Sequence, residues 1–190
     1  MRLLITASAA AVLATMLATG AGAQTLSKDE LIAQAVKAAP EQLRAGATVV
    51  NYDAKGDPVV LREGNNGIVC TPNRQTTSFS VNCYGAALRA QRDFEAKERA
   101  SGKDAKAQAA DLKAAMASGQ LKPPPTGTAM YMLMGKTEAS ARGMWVVLVP
   151  NMTAEATGLP TQPTDKGTPW LMRAGTPGAH IHIPQAAPAG

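Results

Sequence analysis

The chain has 190 residues, a formal net charge of +5 and a hydrophobic content of 45%, which fits one globular domain preceded by a short N-terminal segment. Its Lys and Arg residues are scattered among Asp and Glu, and its aromatic residues are only two Trp, three Tyr and two Phe. This pattern excludes the basic stripe with a recognition motif that nucleic-acid binding requires, so we expect no nucleic-acid partner.

The N-terminus has the three parts of a signal peptide. Arg2 provides a positive charge, an apolar stretch covers residues 3–17, and Ala21-Gly22-Ala23 forms a small-x-small cleavage site. An uncleaved anchor is the alternative, because the stretch approaches the ~20 apolar residues of a membrane span, although Thr, Ser and Gly dilute it. We therefore expect residues 1–23 to be removed. Residues 24–190 are predicted to form one periplasmic or secreted domain without a membrane span, with a tail that frays from about residue 185.

The chain contains two cysteines, Cys70 and Cys83. An even number of cysteines in an exported chain predicts a disulfide. A reactive or metal-binding pair is the alternative, but the spacing of the two residues fits neither a CxxC redox motif nor a zinc motif.

A capping box predicts the start of the first helix. Ser27 can accept a hydrogen bond from the backbone N–H of Glu30, and the Glu30 side chain can reach back. Apolar residues then recur at helical spacing, at Leu31, Ile32, Ala35, Val36 and Ala39. Pro40 predicts the end of this helix.

A block of strands is predicted next. Residues 48–52, 59–61 and 68–70 are rich in β-branched and aliphatic side chains, which favours three strands. The segments between them are rich in Asp, Asn and Gly, which is typical of tight turns. The three strands are therefore predicted to form an antiparallel meander. Residues 77–81 can add a fourth strand, which the disulfide would hold against the third.

Two helices are predicted in the middle of the chain. Asn82 can act as the N-cap of the first helix, whose apolar face consists of Ala87, Leu88 and Phe94. Ser101 and Gly102 interrupt the helical pattern. The second helix then has an amphipathic stripe and a glycine stop at Gly119; the stripe is formed by Ala105, Ala109, Leu112 and Met116.

Strands return in the last third of the chain. Residues 129–134 and 144–149 are apolar enough for central strands, and residues 169–172 and 179–183 predict two short ones. Residues 151–169 are rich in Thr, Pro and Gly and predict a long ordered loop. Strands and helices thus occur in separate blocks. This predicts an α+β fold with a small, largely antiparallel sheet, N-terminal and central helices, and one disulfide.

Three motifs follow one another along the chain: Leu61-Arg62-Glu63-Gly64-x-Asn66-Gly67 with the two cysteines after it, Ala129-Met130-Tyr131-Met132, and Gly175-Thr176-Pro177-x-x-His180-x-x-x-Pro184. On these motifs, the region from about Ala47 to Pro184 resembles a family of small exported bacterial proteins that has no established activity. The resemblance implies a shared fold and a disulfide, with Cys83 opening a helix. It also implies that His180 is the recurrent histidine, whereas His182 stands where an apolar residue is more common.

The two histidines of the chain, His180 and His182, are two residues apart on a predicted strand and therefore point to the same face. Two imidazoles on one face can begin a zinc or copper site, because each offers a nitrogen lone pair. A further ligand is needed, and the candidate carboxylates are those of Glu63, Asp53, Asp57 and Asp165. The alternative is a solvent-facing strand, or a hydrogen-bonded histidine at the edge of the core.

Two other groups of residues have alternative roles. Glu63 can serve as a general acid or base or as a metal ligand, but turn residues surround it, which favours a role for Arg62 or Glu63 in bracing the turn. Met130, Met132 and Met134 alternate on one strand face. Thioether sulfurs can bind Cu(I), but the apolar neighbours favour a role for these methionines in filling the core.

The sequence contains no catalytic motif of high specificity, such as a nucleophile elbow or a nucleotide-binding loop. We therefore expect a non-enzymatic exported domain of unknown function without a cofactor, either a structural protein of the cell envelope or one that binds an envelope component or a small molecule. The alternative is a metal-dependent enzyme, such as a hydrolase, or a metal-binding protein that uses His180 with zinc or copper.

Overall fold

The computed structural model describes residues 26–164 and 167–185. Five helices occur there, α1 (Lys28–Ala35), α2 (Glu41–Arg44), α3 (Arg89–Ala100), α4 (Ala105–Ala117) and α5 (Ala154–Thr157), with 3₁₀ turns at Val36–Ala38 and Ala86–Leu88. The strands are β1 (Thr48–Tyr52), β2 (Pro58–Arg62), β3 (Ile68–Thr71), β4 (Phe79–Gly85), β5 (Ala129–Gly135), β6 (Arg142–Leu148), β7 (Trp170–Met172) and β8 (His180–Pro184). None of these five helices has the length and hydropathy that a membrane span requires.

Some of the predictions concern residues that are not described. The signal peptide at residues 1–23, the cleavage site at Ala21-Gly22-Ala23, the C-terminal tail after residue 185 and the candidate ligand Asp165 lie outside the described residues. The predicted loop at residues 151–169 includes the short helix α5. All other predicted strands and helices have a counterpart in the structure. Two of them have different bounds from those predicted, namely the fourth strand and the first of the two central helices.

The eight strands form one sheet in the order β2-β1-β3-β4-β5-β6-β8-β7. Each neighbouring pair is antiparallel apart from β1 and β3, which run parallel. The predicted α+β class, with a largely antiparallel sheet, N-terminal and central helices and one disulfide, is confirmed.

The predicted antiparallel meander of the first three strands is wrong. β1 pairs with β2 on one side and with β3 on the other, so that Thr48 lies opposite Val69 in a parallel pair. The segment between β2 and β3 does not form a tight hairpin. It passes around the beginning of β1 instead, so that β3 pairs with β1 on the side opposite β2.

Hydrogen bonds to the backbone before β1 hold this crossover in place. The Arg62 guanidinium donates to the carbonyls of Arg44, at 2.6 Å, and Ala47, at 2.9 and 3.1 Å. The side-chain amide of Asn66 donates to Leu43 O at 2.7 Å. Gly64 is required because a Cβ there would lie 2.3 Å from Gly46 O. The Leu61–Gly67 motif is thus a structural brace, in which Arg62 has the bracing role that the sequence leaves open between Arg62 and Glu63.

The fourth strand is longer than predicted and replaces the start of a helix. The sequence predicts Asn82 as a helix cap, and the resemblance implies that Cys83 opens a helix, but both residues lie within β4. Asn82 is paired with Thr71 on one side and with Met132 on the other. These two ladders satisfy the backbone of β4 as an extended strand, and this tertiary pairing overrides the capping preference of Asn. The helix begins seven residues later, at Arg89.

Alternate residues of β4 contribute to two separate cores. Val81 and Cys83 belong to a cluster that α1 covers through Ile32 and Ala35. Tyr84 belongs to a second cluster on the opposite face, in which α3 contributes a buried alanine. The predicted capping box of α1 is confirmed, since Glu30 N donates to Ser27 Oγ and Ser27 N donates to Glu30 Oε2. The sheet therefore has a helix on each face.

The Cys70–Cys83 disulfide links β3 to β4 inside the first core. The two residues are direct partners in the antiparallel ladder, with their Cα atoms 4.0 Å apart. Both are fully buried. The predicted disulfide is confirmed, and it fixes the pairing of the two strands at their centre.

The turn between β1 and β2 contacts the backbone of α3. Gly56 has a positive φ of 78°, and a Cβ at this position would lie 2.5 Å from Ala96 O. Asp53 Oδ1 accepts from the backbone N–H groups of Lys55 and Asp57 and so closes the turn. The close approach of Gly56 to Ala96 sets the position of α3 relative to the sheet.

We expect the double substitution Cys70→Ala/Cys83→Ala to lower the free energy of unfolding by about 3 kcal/mol, because the disulfide restricts the unfolded chain. Urea unfolding of the oxidised protein, with and without a reductant, measures this difference. The doubly substituted protein should show no response to the reductant, and two free thiols in the untreated, unfolded native sequence would contradict the prediction.

We expect Gly56→Ala to lower the free energy of unfolding by more than ~2 kcal/mol, since strain at positive φ adds to a contact with the α3 backbone. Gly102→Ala is the matched control, because Gly102 has a φ of 79° but no atom within 4 Å of the place that a Cβ would occupy. It should lose only ~1 kcal/mol. Equal losses in urea unfolding would show that the turn does not contact α3.

Candidate functional site

His180 and His182 lie side by side on β8. Their ring centroids are 4.8 Å apart, so the prediction that the two imidazoles share a face is confirmed. The ring of Trp170, from β7, lies 4.9 Å from that of His182. Met172 is the direct partner of His180 across the β7–β8 pair. Two imidazoles, an indole and a thioether therefore occupy one small area of the sheet.

A backbone carbonyl fixes the tautomer of His180. Its Nδ1 lies 2.7 Å from Gly178 O, and a carbonyl oxygen can only accept, so Nδ1 carries the proton. In the neutral ring this leaves a lone pair on Nε2. The orientation and the tautomer of His180 thus suit an imidazole ligand.

The surroundings of His182 favour its neutral form. Burial of the ring, and then the charge of His180, lower the pKa of His182 from its ordinary value of 6.5. As the pH falls below 6.5, His182 binds a proton more readily in the unfolded chain than in the folded one. The contribution of His182 to stability is therefore present above about pH 6.5 and is lost as the pH falls through the range between the two pKa values.

The candidate carboxylates lie far from the histidines. Glu63 follows β2, and Asp53 and Asp57 lie in the turn before it. β2 and β8 are six strand spacings apart in the sheet, which corresponds to roughly 29 Å. Among residues 26–164 and 167–185, no three His, Cys, Asp or Glu side chains come together as a metal site. The structure brings His180 and His182 together but does not bring Glu63 to them.

A second group of polar side chains, which sequence reasoning did not identify, lines a cleft of about 240 Å³ between α3 and the sheet. We call it the arginine–tyrosine cleft. It lies on the face of the sheet opposite α1 and includes residues of β1, β4, β5, α3 and the loop after β3. Its charged and aromatic lining consists of Arg74, Arg92, Arg99, Tyr52 and Tyr84, and Asn82, Met130 and Met132 also line it.

The floor of this cleft contains a buried hydroxyl. Tyr84 is 1% exposed, and its Oη has no hydrogen-bond partner among the described residues. The adjacent Tyr52 donates its hydroxyl to Asp93 Oδ1 at 2.8 Å, and the two phenol oxygens are close enough for each to influence the pKa of the other. Burial raises the pKa of Tyr84 and, together with Tyr84 and Asp93, that of Tyr52. Both phenols are therefore protonated at neutral pH.

Arg92 forms the wall above Tyr84. Its Nη1 donates to Glu95 Oε2 at 2.7 Å and its Nη2 contacts Met130 Sδ at 3.2 Å. Its Nε is buried without a hydrogen-bond partner among the described residues. The guanidinium carbon lies 5.7 Å from the centre of the Tyr84 ring. Arg92 thus has one donor that its surroundings leave free.

Arg74 and Arg99 lie at the mouth of the cleft. Neither forms an ion pair with a carboxylate in the part of the chain that the structure describes. Burial, and then the nearby charge of Arg99, lower the pKa of Arg74. The Arg74 guanidinium lies over the Tyr52 ring, 5.3 Å from its centre. Two positive charges are therefore held close together, and the Asp53 carboxylate is the negative charge near Arg74.

One sequence signal could have indicated this cleft. Arg92, Ala96 and Arg99 recur at helical spacing and so share one face of α3. Ala96 is 1% exposed against the sheet, which directs the two arginines toward the strands on either side of it. Tyr52, Arg74 and Tyr84 have no such local pattern, since folding alone brings these three residues to α3.

The chain was compared with protein-family models, with curated proteins and with solved structures, and no match was found. The family resemblance that the sequence motifs indicate therefore stays a prediction. The chemistry of the cleft and of the histidine pair follows from their own residues and geometry.

We expect His182 to titrate below pH 6.5 and His180→Gln to raise its pKa, because that substitution removes the neighbouring charge while burial remains. The pKa should still stay below 6.5 in the variant. An NMR titration of the imidazole Cε1–H signals measures both values. An unchanged pKa of His182 in the variant would contradict coupling between the two rings.

Proposed function

We propose that the chain is an exported, non-enzymatic binding domain that takes up a small anionic molecule in the arginine–tyrosine cleft. The observation that carries this proposal is the set of three arginines, Arg74, Arg92 and Arg99, that line one cleft. An anion that enters the cleft can neutralise these arginines and approach the buried Tyr84 hydroxyl beside them.

The Tyr84 hydroxyl lacks a well-formed hydrogen bond in the ligand-free protein. A buried polar group without a partner costs about 1–3 kcal/mol, which is large beside a typical free energy of unfolding of about 5–15 kcal/mol. Phenylalanine would fill the same space without this cost. A hydroxyl kept at such a position is therefore suited to a partner that is not part of the chain.

The charges define the kind of molecule that fits. Arg74 and Arg99 repel one another at the mouth of the cleft, and an anion between them replaces this repulsion with attraction. Guanidinium groups bind carboxylate or phosphate oxygens through paired, charge-assisted hydrogen bonds. Arg92 Nε can add a further donor, so that an anionic group would have hydrogen-bond donors on several sides.

The size and lining of the cleft restrict the ligand further. Its volume of about 240 Å³ is below the ~300–1,000 Å³ of pockets for drug-sized ligands, so the ligand is small. Met130 and Met132 line the side formed by β5, and the two tyrosine rings are apolar over most of their area. We infer a small organic acid or phosphate ester with one apolar side.

The protonation states in the cleft favour recognition over catalysis. Burial raises the pKa of Tyr52 and of Tyr84 above the ordinary value of 10, and an arginine stays protonated at neutral pH. These groups donate hydrogen bonds near pH 7 but do not accept protons from a substrate. A general base needs a pKa near the working pH, so the five charged and aromatic lining residues suit binding.

Export is supported by the disulfide and by the N-terminal sequence. Structural disulfides persist in oxidising compartments such as the periplasm or the extracellular space, and Cys70 and Cys83 are bonded in the structure. The signal-peptide pattern at residues 1–23 and the resemblance to exported bacterial proteins agree with this location. The partner is then a small molecule or an envelope component that presents an anionic group.

We expect the protein to bind benzoate or phenyl phosphate, and not the uncharged benzyl alcohol, in a calorimetric titration at millimolar ligand. Arg99→Gln should weaken anion binding about 10- to 100-fold, since a hydrogen bond to a charged group contributes about 1.5–3 kcal/mol. Lys106→Gln is the control for net charge, because Lys106 does not line the cleft. Preference between the two anions identifies a carboxylate or a phosphate ligand.

Tyr84→Phe separates binding from stability. We expect it to weaken anion binding about tenfold, because a hydrogen bond is lost, and to leave the free energy of unfolding unchanged or higher. Tyr52→Phe is the matched control, since it removes the hydrogen bond to Asp93 and should lower the free energy of unfolding by about 1 kcal/mol. No binding of either anion, or equal affinity in Tyr84→Phe, would contradict the proposal.

A further inference from the structure

We propose that His180, His182 and Met172 form a binding site for a Cu(I) ion on one face of β7 and β8. This site shares no residue with the arginine–tyrosine cleft and does not depend on anion binding there. The sequence suggests zinc or copper at the histidines with a carboxylate as the further ligand. The structure supplies a thioether in its place.

The strand register brings the three donor side chains together. Met172 lies directly opposite His180 in the antiparallel β7–β8 pair, and side chains at such positions have Cβ atoms about 4.5–5.5 Å apart on the same face. The His180 and His182 rings are themselves 4.8 Å apart. Two imidazoles and one thioether therefore lie next to one another on one face of the two strands, as a shared ion requires.

The His180 imidazole is held in an orientation that suits a metal ligand. His180 donates its Nδ1 proton to Gly178 O, the outer contact that commonly orients a metal-binding histidine and leaves Nε2 free.

The donor set and its surroundings favour Cu(I) over a divalent ion. A thioether is a soft ligand that selects Cu(I), whereas Zn²⁺ sites are completed by thiolate, imidazole or carboxylate. Met172 and His182 line a cavity of about 360 Å³ together with Arg173. The positive charge of Arg173 repels a divalent cation twice as strongly as a monovalent one.

The methionines of β5 do not all fill the core as the sequence suggests. Met130 is 8% exposed, but Met134 is 39% exposed. Met132 and Met144 are direct partners in the β5–β6 pair and lie on the face that carries the histidines. Both of these thioethers pack against the second core, so that Met172 of β7 supplies the thioether beside the histidine pair.

The test is an anaerobic titration of the purified, untagged protein with Cu(I) in competition with the chelator bicinchoninate. The Trp145→Phe background leaves Trp170 as the fluorophore, because the chain has two Trp residues and Trp170 lies 4.9 Å from His182. We expect one Cu(I) per chain, with quenching of Trp170. Met172→Leu and His182→Gln should each weaken Cu(I) binding at least tenfold.

Met152→Leu is the matched control, because Met152 belongs to the cluster around Leu171 on the other face of β7, and it should bind Cu(I) as the parent does. Thermal unfolding shows whether each variant is folded, and the leucine substitutions conserve volume. Loss of affinity in Met172→Leu but not in Met152→Leu would support the site. No Cu(I) bound by the parent, equal affinity in all variants, or tighter binding of Zn²⁺ than of Cu(I) would overturn it.

Discussion

The register of β4 against β3 is the constraint on which both faces of the sheet depend. The bond between Cys70 and Cys83 joins residues that already face one another in this ladder. A slip by one residue would move every side chain of β4 to the opposite face. Cys83 would then leave the core beneath α1, and the Tyr84 hydroxyl would leave the cleft beneath α3. A covalent link in one core therefore fixes the polar floor of the other.

The crossover before β3 is a second constraint on the same region. It places β1 in the sheet interior, so that Tyr52 lies beside Tyr84 rather than at an edge. The turn after Tyr52 then contacts α3 at Ala96, through Gly56. Arg62 and Asn66 hold this arrangement by hydrogen bonds to carbonyls rather than by ionic contacts. The motif that is most distinctive in the sequence thus supports the site from a distance and takes no part in it.

Features with local causes could be predicted from the sequence. Spacing within a few residues predicts the capping box of Ser27 and Glu30 and the shared face of His180 and His182. It also predicts the valine-rich strands β1 and β2. The parallel β1–β3 pair could not be predicted in this way, because it depends on contacts between segments separated by a loop. The cleft could not be predicted either, since its lining comes from distant elements and each residue alone resembles an ordinary surface or core position.

The small side chain of Ala96 has a consequence for the dimensions of the cleft. Ala96 is 1% exposed where α3 meets the sheet, so its volume sets the separation between the helix and β4. A larger residue would hold Arg92 and Arg99 further from Tyr84 without altering any residue that lines the cleft. One position in the helix–sheet interface therefore sets the width of the cleft independently of the groups that line it.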